Sequence, residues 1–494
     1  MMKKTFSILH ISDLHKDKDS DYKFLLSSLE TDCSKWRQEG ISAPSFIVIS
    51  GDLVQGVKEY KCSKGEADAE LKRQYAETEE FLVQLTSLFL AGKRERVIIV
   101  PGNHDVNRNA SFRSMDVLDR EKNVEIAKSL VNSGGKSEIY RWSWEECTFS
   151  KIVRRDAYDE RFEAYRQFFE HFYQGNRQLN DYENEALIED FPEYNVTFAG
   201  YNSCSGLDHL NTIGKISNEA LQYRSQDLRE YYDSGRLIIG VWHHHIYGSP
   251  YSPNFMDKGV LPHLHENRIK LALFGHQHFT EVADEYIDFE NKVTDFEESL
   301  LMISSGTLFG TKKQMQPGIR RQYNIIEVQM ENGCANIKIH TREDKLGDTP
   351  YPIWKRHIVQ PNNYIERKVN FKPISPLEQA YDIDKSTQST SDYKKGIMML
   401  IANMPAEEDA QASELFRSLI DTYLQKLNLT VDYPFIIQTF KTPSNALQRG
   451  YLLQALINDK QYDQASELVE AIKEPQPIEQ QAIDKLKSIQ RWHR

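Results

Sequence analysis

The chain has 494 residues, a net charge of -12 and a pI near 5.7, so no overall basic footprint marks it for nucleic acid or an anionic membrane. With 39% hydrophobic and 27% charged residues it reads as a globular chain of several domains. Its five cysteines are scattered and odd in number, with no CxxC pair, which excludes a disulfide framework and a thiolate zinc site and fits a reducing, cytoplasmic location.

From the N-terminus, the apolar run of MMKKTFSILHISD stops at Asp13, too short for a signal sequence. No run approaches the roughly 20 apolar residues of a membrane span. SILHIS, residues 7 to 12, reads as a first strand, followed by Asp13-Leu14-His15. Residues 16 to 22 read as a loop, and the stretch to about Glu39 as a helix. Phe46 to Ser50 is a second strand ended by Gly51-Asp52. Residues 66 to 91 are helical, because Phe81, Leu82, Leu85, Leu88 and Phe89 share one face. Val97 to Val100 is a third strand, broken by Pro101-Gly102 and followed by Asn103-His104-Asp105. Strands alternating with helices imply right-handed crossovers in a largely parallel or mixed sheet.

Residues 107 to 190 break this rhythm and read as a helical cap inserted over the C-terminal edge of the sheet. Their aromatic helix, residues 161 to 174, is read as packing. Strand pattern returns at NVTFAGYNS. LIIGVW empties into His243-His244-His245, and LALFG into His276-Gln277-His278. SLLMISSGTLFG and YNIIEVQM are further strands, and CANIKIHT closes a hairpin after Asn332-Gly333. Residues 351 to 392 read as a linker, with DKSTQSTSDY as polar low complexity. Residues 393 to 494 read as a helical C-terminal domain. Within it, Ala446 to Leu456 and Tyr462 to Ile472 form an antiparallel pair that lacks a clean repeat.

The strand ends carry the chemistry. Asp13, His15, Asp52, Asn103, His243 or His244, His276 and His278 are oxygen and imidazole donors with no thiolate among them, a set suited to Mn, Fe, Zn or Mg. Asp13 with His15, and His276 with His278, are spaced to point the same way from an extended chain. Seven donors exceed one ion and suit two sharing a carboxylate. Such a pair clamps the attacking and departing oxygens of displacement at phosphorus. The C-terminal edge of an open α/β sheet is also where ligands bind.

At these residues the chain resembles the calcineurin-like metallophosphoesterase superfamily, whose DxH, GDxx, GNHD, HH and GHxH motifs stand here in family order over roughly residues 5 to 345. The resemblance implies a four-layer α/β/β/α sandwich forming a catalytic domain over residues 1 to 350, with the helical cap and the α-helical C-terminal domain as additions. It implies two divalent ions, Mn favoured. Asp13, His15, Asp52 and His278 would bind one, and Asp52, Asn103, His276 and one of the histidine triplet the other. His243 is favoured over His244 because it leaves the strand first. His104 is implied as the group that reaches the substrate phosphate or leaving oxygen, held by Asp105.

The cap, the triplet and the late GTLFG and QYNIIEV segments look most like the cyclic-nucleotide phosphodiesterase-like branch. The expected activity is hydrolysis of a phosphodiester, a small nucleotide favoured over nucleic acid, through attack of a metal-bridging hydroxide. A repair- or defence-type nuclease is the alternative, as is a component of a larger complex whose helical C-terminus binds a protein partner. No membrane association is expected.

Overall fold

The computed structural model describes residues 4–15, 22–119, 123–132, 137–143, 146–246, 255–256, 258–286, 299–310, 315, 317–331, 333–346, 351–371, 376–405, 409–427 and 432–492. The loop expected at 16 to 22 lies outside them up to residue 21, and so does Asn332 of the expected hairpin turn. Two compact units are present, Lys3–Ile374 and Ser375–Arg494.

The first unit carries sixteen labelled strands among its described residues. They are β1 (Lys4–Ile11), β2 (Phe46–Ser50), β3 (Val97–Val100), β4 (Met115–Leu118), β5 (Tyr140–Ser143), β6 (Thr148–Ile152), β7 (Leu187–Phe191), β8 (Val196–Gly200), β9 (Leu237–Val241), β10 (Ile269–Phe274), β11 (Val282–Tyr286), β12 (Ser299–Ser304), β13 (Gln322–Glu331), β14 (Cys334–Asp344), β15 (Trp354–Arg356) and β16 (Ile365–Asn370). One sheet runs β15-β14-β13-β1-β2-β3, with β16 also on β14. The other runs β11-β12-β10-β9-β8-β7. The parallel strands are β1-β2-β3, at one end of the first sheet, and β12-β10-β9-β8, the centre of the second.

Side-chain parity explains why these central strands are apolar throughout. In β9 and β10, Leu237, Ile239, Val241, Leu271 and Leu273 belong to the large core between the sheets. Their alternates Ile238, Ala272 and Phe274 pack outward with Leu221, Leu228 and Leu264 of the covering helices. A sheet covered on both faces needs apolar residues at both parities. The helices Tyr22–Trp36 and Lys64–Leu90 cover the first sheet through Leu25, Leu29, Trp36, Phe81, Leu82 and Leu85. The order of layers is therefore α/β/β/α.

The insertion is more than helical. Besides the helices Arg108–Ser114, Val124–Asn132 and Glu163–Phe172 it folds a three-stranded antiparallel sheet, β4-β6-β5. Tyr165, Phe168, Phe169 and Phe172 do pack into the core as their spacing suggests. Residues 351 to 392, read from the sequence as a linker, carry β15, β16 and the helix Pro376–Thr390. The C-terminal unit is helical, and its pair Ala446–Asn458 and Tyr462–Glu470 matches the expected hairpin. No described helix is long and apolar enough to cross a membrane.

Candidate metal centre

Five parallel strands deliver the candidate donors at one edge. Asp13 lies two residues past the end of β1, Asp52 two past β2, Asn103 three past β3, His243 two past β9 and His276 two past β10. The turns are tight. Asp13, His15, Asp52, His276 and His278 all hold positive φ, from 46° to 72°. Non-glycine residues rarely adopt that region, and each costs about 1–3 kcal/mol unless its surroundings enforce it. Backbone hydrogen bonds supply the enforcement: Asp13 N donates to Gly51 O and His15 N to Asp52 O, each at 3.0 Å.

Two motif glycines have a steric reason. A Cβ on Gly51, whose φ is 95°, would meet His243 Nδ1 at 2.6 Å. A Cβ on Gly275 would run into Ser12 Oγ and approach Asp13 Oδ2 to 2.8 Å.

The donor atoms gather in two groups. In one, His278 Nε2 lies 3.1 Å from Asp13 Oδ1 and 3.1 Å from His15 Nε2, while His15 Nε2 is 3.7 Å from Asp13 Oδ1 and 4.0 Å from Asp52 Oδ2. In the other, Asn103 Oδ1 is 3.0 Å from both His243 Nε2 and His276 Nδ1. Those two nitrogens are 3.2 Å apart, and His243 Nε2 is 3.3 Å from Asp52 Oδ2. Asp52 faces both groups. Asp13 Oδ1 is fully buried and, despite its approach to His278, has no hydrogen-bond partner among the described residues. A buried carboxylate oxygen in that state is costly without a cation against it. The donor set therefore fits hard divalent ions.

Electrostatics favour the same occupant. Burial raises the Asp13 carboxyl, but the charge of His278 more than reverses this and holds it below the usual range. Burial also raises Asp52, and His243, His104 and His15 pull it well below. Burial lowers His243, and Asp52 overrides this to bring it to about 9. His15 is driven down to about 3 by burial and then by His104, which leaves a neutral imidazole with a lone pair to give.

The histidine triplet separates cleanly. His243 continues the inward parity of Leu237, Ile239 and Val241, and its Nδ1–H donates to Ser50 O at 2.7 Å, which aims Nε2 at Asp52 and Asn103. His244 turns aside: its Nδ1 is 2.9 Å from Ser203 Oγ, and its ring lies against Gly214. His245 Nε2 pairs with Glu281 at 3.3 Å.

His104 is part of the cluster with His15 and Asp52, and its ring meets that of His15 edge-on at 4.7 Å. Its Nδ1 is 2.8 Å from Gln55 O, which orients the ring. The expectation that Asp105 holds His104 is overturned. Asp105 accepts from Gly102 N at 2.8 Å, Leu53 N at 3.2 Å and Tyr75 OH at 3.0 Å, so it clamps the turn itself. In a turn this tight, neighbouring side chains diverge. Burial and the charge of Asp52 push Asp105 up to about 7.

Two hydroxyls absent from the sequence reading brace the site. Ser203, three residues past β8, accepts from the backbone N–H groups of His243 and His244, each at 3.1 Å. Thr307, three past β12, donates to Asp13 O at 2.7 Å and accepts from Gly310 N at 2.6 Å. Both stand three residues past a parallel strand, the offset at which Asn103 follows β3, the one signal by which they could have been found.

A family model described as calcineurin-like phosphoesterase matches residues 6–279. No curated protein matches the chain. Among solved structures, a dimetal phosphatase from Danio rerio is similar at 14% identity and a TM-score of 0.33, over 75% of this chain and 100% of that one. The calcineurin-like phosphoesterase YfkN from Bacillus subtilis is similar at 13% and 0.30, over 79% and 99%. Vps29 from Chaetomium thermophilum is similar at 8% and 0.25, over 74% and 97%.

Proposed function

The chain belongs to the calcineurin-like phosphoesterase family and is thus a metal-dependent phosphoester hydrolase; from that premise we propose that it is a phosphodiesterase acting on a small nucleotide or similar phosphodiester in the cytoplasm. The observation that carries the site assignment is the sharing of Asp52 between two donor groups. In this reading Asp13, His15, Asp52 and His278 hold one ion and Asp52, Asn103, His243 and His276 the other, with Mn as the favoured metal. When bound, the ions supply Lewis-acid neutralisation of charge on the phosphoryl oxygens.

The chain's own residues do the rest. Asn103 Oδ1 fixes the relative placement of His243 and His276. The Ser50 carbonyl sets the tautomer of His243. With Nδ1–H committed to Gln55 O, His104 presents Nε2 as the atom that holds a proton for the departing oxygen or donates to a phosphoryl oxygen. Asp105 keeps the loop that carries Asn103 and His104 closed through three hydrogen bonds. The residues 1–350 form the proposed catalytic domain, and residues 393–494 the proposed surface for a protein partner.

The test is an assay of the purified protein supplied with Mn against bis-p-nitrophenyl phosphate, p-nitrophenyl phosphate, cyclic nucleotides, and single- and double-stranded DNA and RNA. Turnover of diesters and cyclic nucleotides above monoesters and polymers is the expected result. A preference for the monoester overturns the diesterase assignment, and a preference for polymer overturns the small substrate.

A further inference from the structure

This inference rests on the phosphoesterase reading and concerns what the substrate carries beyond its phosphate. Three segments leave the metal edge: the loop after Asp52, the helix Arg108–Ser114 after Asp105, and the loop after Ser203. They meet again in a cluster of three rings. Tyr60 and Phe112 have centroids 5.6 Å apart, Tyr60 and His209 5.3 Å, and Phe112 and His209 5.6 Å. Hydrogen bonds lock the three segments together. Asn109 Nδ2 donates to Tyr60 O at 2.9 Å and Cys62 O at 2.7 Å, and Ser111 Oγ sits 2.9 Å from His209 Nδ1.

The cluster is not core. None of its rings belongs to the buried apolar clusters of the unit. Asn109, Ala110, Ser111 and Ser114 of the same helix are completely buried, yet Phe112 is left 37% exposed. Beside it stands Arg108, half-buried, with no ion pair and no side-chain hydrogen bond among the described residues. Arg108 stands one helical turn before Phe112 on the same helix, and its charge, after burial and against Asp208, also helps hold His209 below its ordinary pKa.

We propose that Tyr60, Phe112 and His209 form a platform on which the base of a nucleotide ester stacks, with Arg108 donating to the acceptor edge of that base. A flat ring with polar edges suits this surface better than an aliphatic group. The platform pairs aromatic rings with a phenol, an imidazole and a guanidinium that has no partner among the described residues, the groups that bind bases without strict sequence readout. A single nucleotide is favoured over a polymer, because a polymer's phosphates call for a basic track and this chain carries a net charge of -12.

The experiment compares two diesters with one leaving group, thymidine 5′-(p-nitrophenyl phosphate) and methyl p-nitrophenyl phosphate, on the full chain supplied with Mn. The wild type should favour the thymidine ester in kcat/KM. Phe112→Ala and Tyr60→Ala should each lower that preference about tenfold or more, chiefly through KM. Phe112→Leu, which keeps the apolar bulk, should lower it too, and Phe112→Trp should retain it. Saturation-transfer NMR on EDTA-treated protein with free thymidine gives a reading without chemistry: base protons should receive the transfer in the wild type and lose it in Phe112→Leu.

Absence of that transfer, or equal kcat/KM for the two esters, overturns the platform while leaving the phosphoesterase reading intact. Hydrolysis of neither ester alongside normal thymidine contact defeats the diesterase reading instead. An oligonucleotide cut far better than the thymidine ester, with the same sensitivity to Phe112→Leu, overturns the single-nucleotide assignment.

Discussion

Around Asn103 and His243 the side chains are fixed by hydrogen bonds to serine and carbonyl groups behind them, whereas Asp13, His15 and His278 stand on strained turns whose backbone is pinned. His243 is fixed at both ends, through Nδ1 to Ser50 O and through its own N–H to Ser203, while Asn103 Oδ1 spans His243 and His276. On the other side, Asp13 Oδ1 and His15 Nδ1 have no hydrogen-bond partner among the described residues. Asp13, His15 and His278 stand on positive-φ turns pinned by Gly51 O, Asp52 O and Thr307. His276 shares both styles, with φ of 72° and its N–H on Asp13 Oδ2. The side-chain half should therefore yield to removal of one hydroxyl, and the backbone half should yield less to any single polar change.

The largest expected effect removes the group common to both halves. Asp52→Ala should empty both sites and bring hydrolysis to the level of EDTA-treated protein, as read by elemental analysis and turnover. Retention of one tightly bound ion would mean that the two groups do not share this carboxylate.

Next is His104→Ala. It should keep the metal content and lose about 10²- to 10⁴-fold in turnover of an alkyl ester, as removal of a general acid does. The loss should be smaller for a nitrophenyl ester, whose leaving group needs no proton. Equal losses on both esters would mean that His104 only stabilises charge.

Ser203→Ala comes third. It strips the hydroxyl that accepts the N–H groups of His243 and His244. Loss of such a positioning residue costs metal affinity about 10- to 100-fold. The loss should fall on one of two sites in a Mn titration followed by electron paramagnetic resonance, with the other unchanged. Equal weakening of both sites would erase the distinction between the halves.

Much of this was legible because the donors are unusual residues placed just past apolar strands. Asp13-Leu14-His15, Gly51-Asp52, Asn103-His104 and His276-Gln277-His278 break patterns that are otherwise continuous. That His243 rather than His244 faces Asp52 and Asn103 follows from strand parity, once β9 is counted inward from Leu237. Ser203 and Thr307 were hidden because hydroxyl residues are common and only their offset from β8 and β12 distinguishes them. The role of Asp105 was misjudged because adjacency in sequence says nothing about direction in a turn. The small sheet of the insertion was missed for another reason. MDVL, YRWS and TFSKI are short and partly polar, and Val117 and Ile139 stay exposed. The segment 351–392 read as a linker because β16 buries only Val369, and the helix after it docks through Ala380, Ile383 and Thr387 amid polar residues.

The smallest effect tests the backbone half. Thr307→Val keeps the side-chain shape but loses the donor to Asp13 O and the acceptor for Gly310 N, both buried. Leaving such groups unsatisfied costs about 1–3 kcal/mol of stability. That cost alone would not speak to the site, since any buried hydrogen bond could give it. The separating measurement is the rise in Tm when excess Mn is added to EDTA-treated protein, because an ion that binds only the folded state stabilises in proportion to its affinity. If the Asp13 carbonyl is what keeps the strained turn in place, the variant should melt lower without metal and also gain less from Mn than the wild type. The shortfall should be smaller than that of Ser203→Ala, because Gly51 O and Asp52 O still pin the turn through Asp13 N and His15 N. A variant that melts lower yet gains the full increment would show that those two backbone bonds hold Asp13 and His15 in register without Thr307.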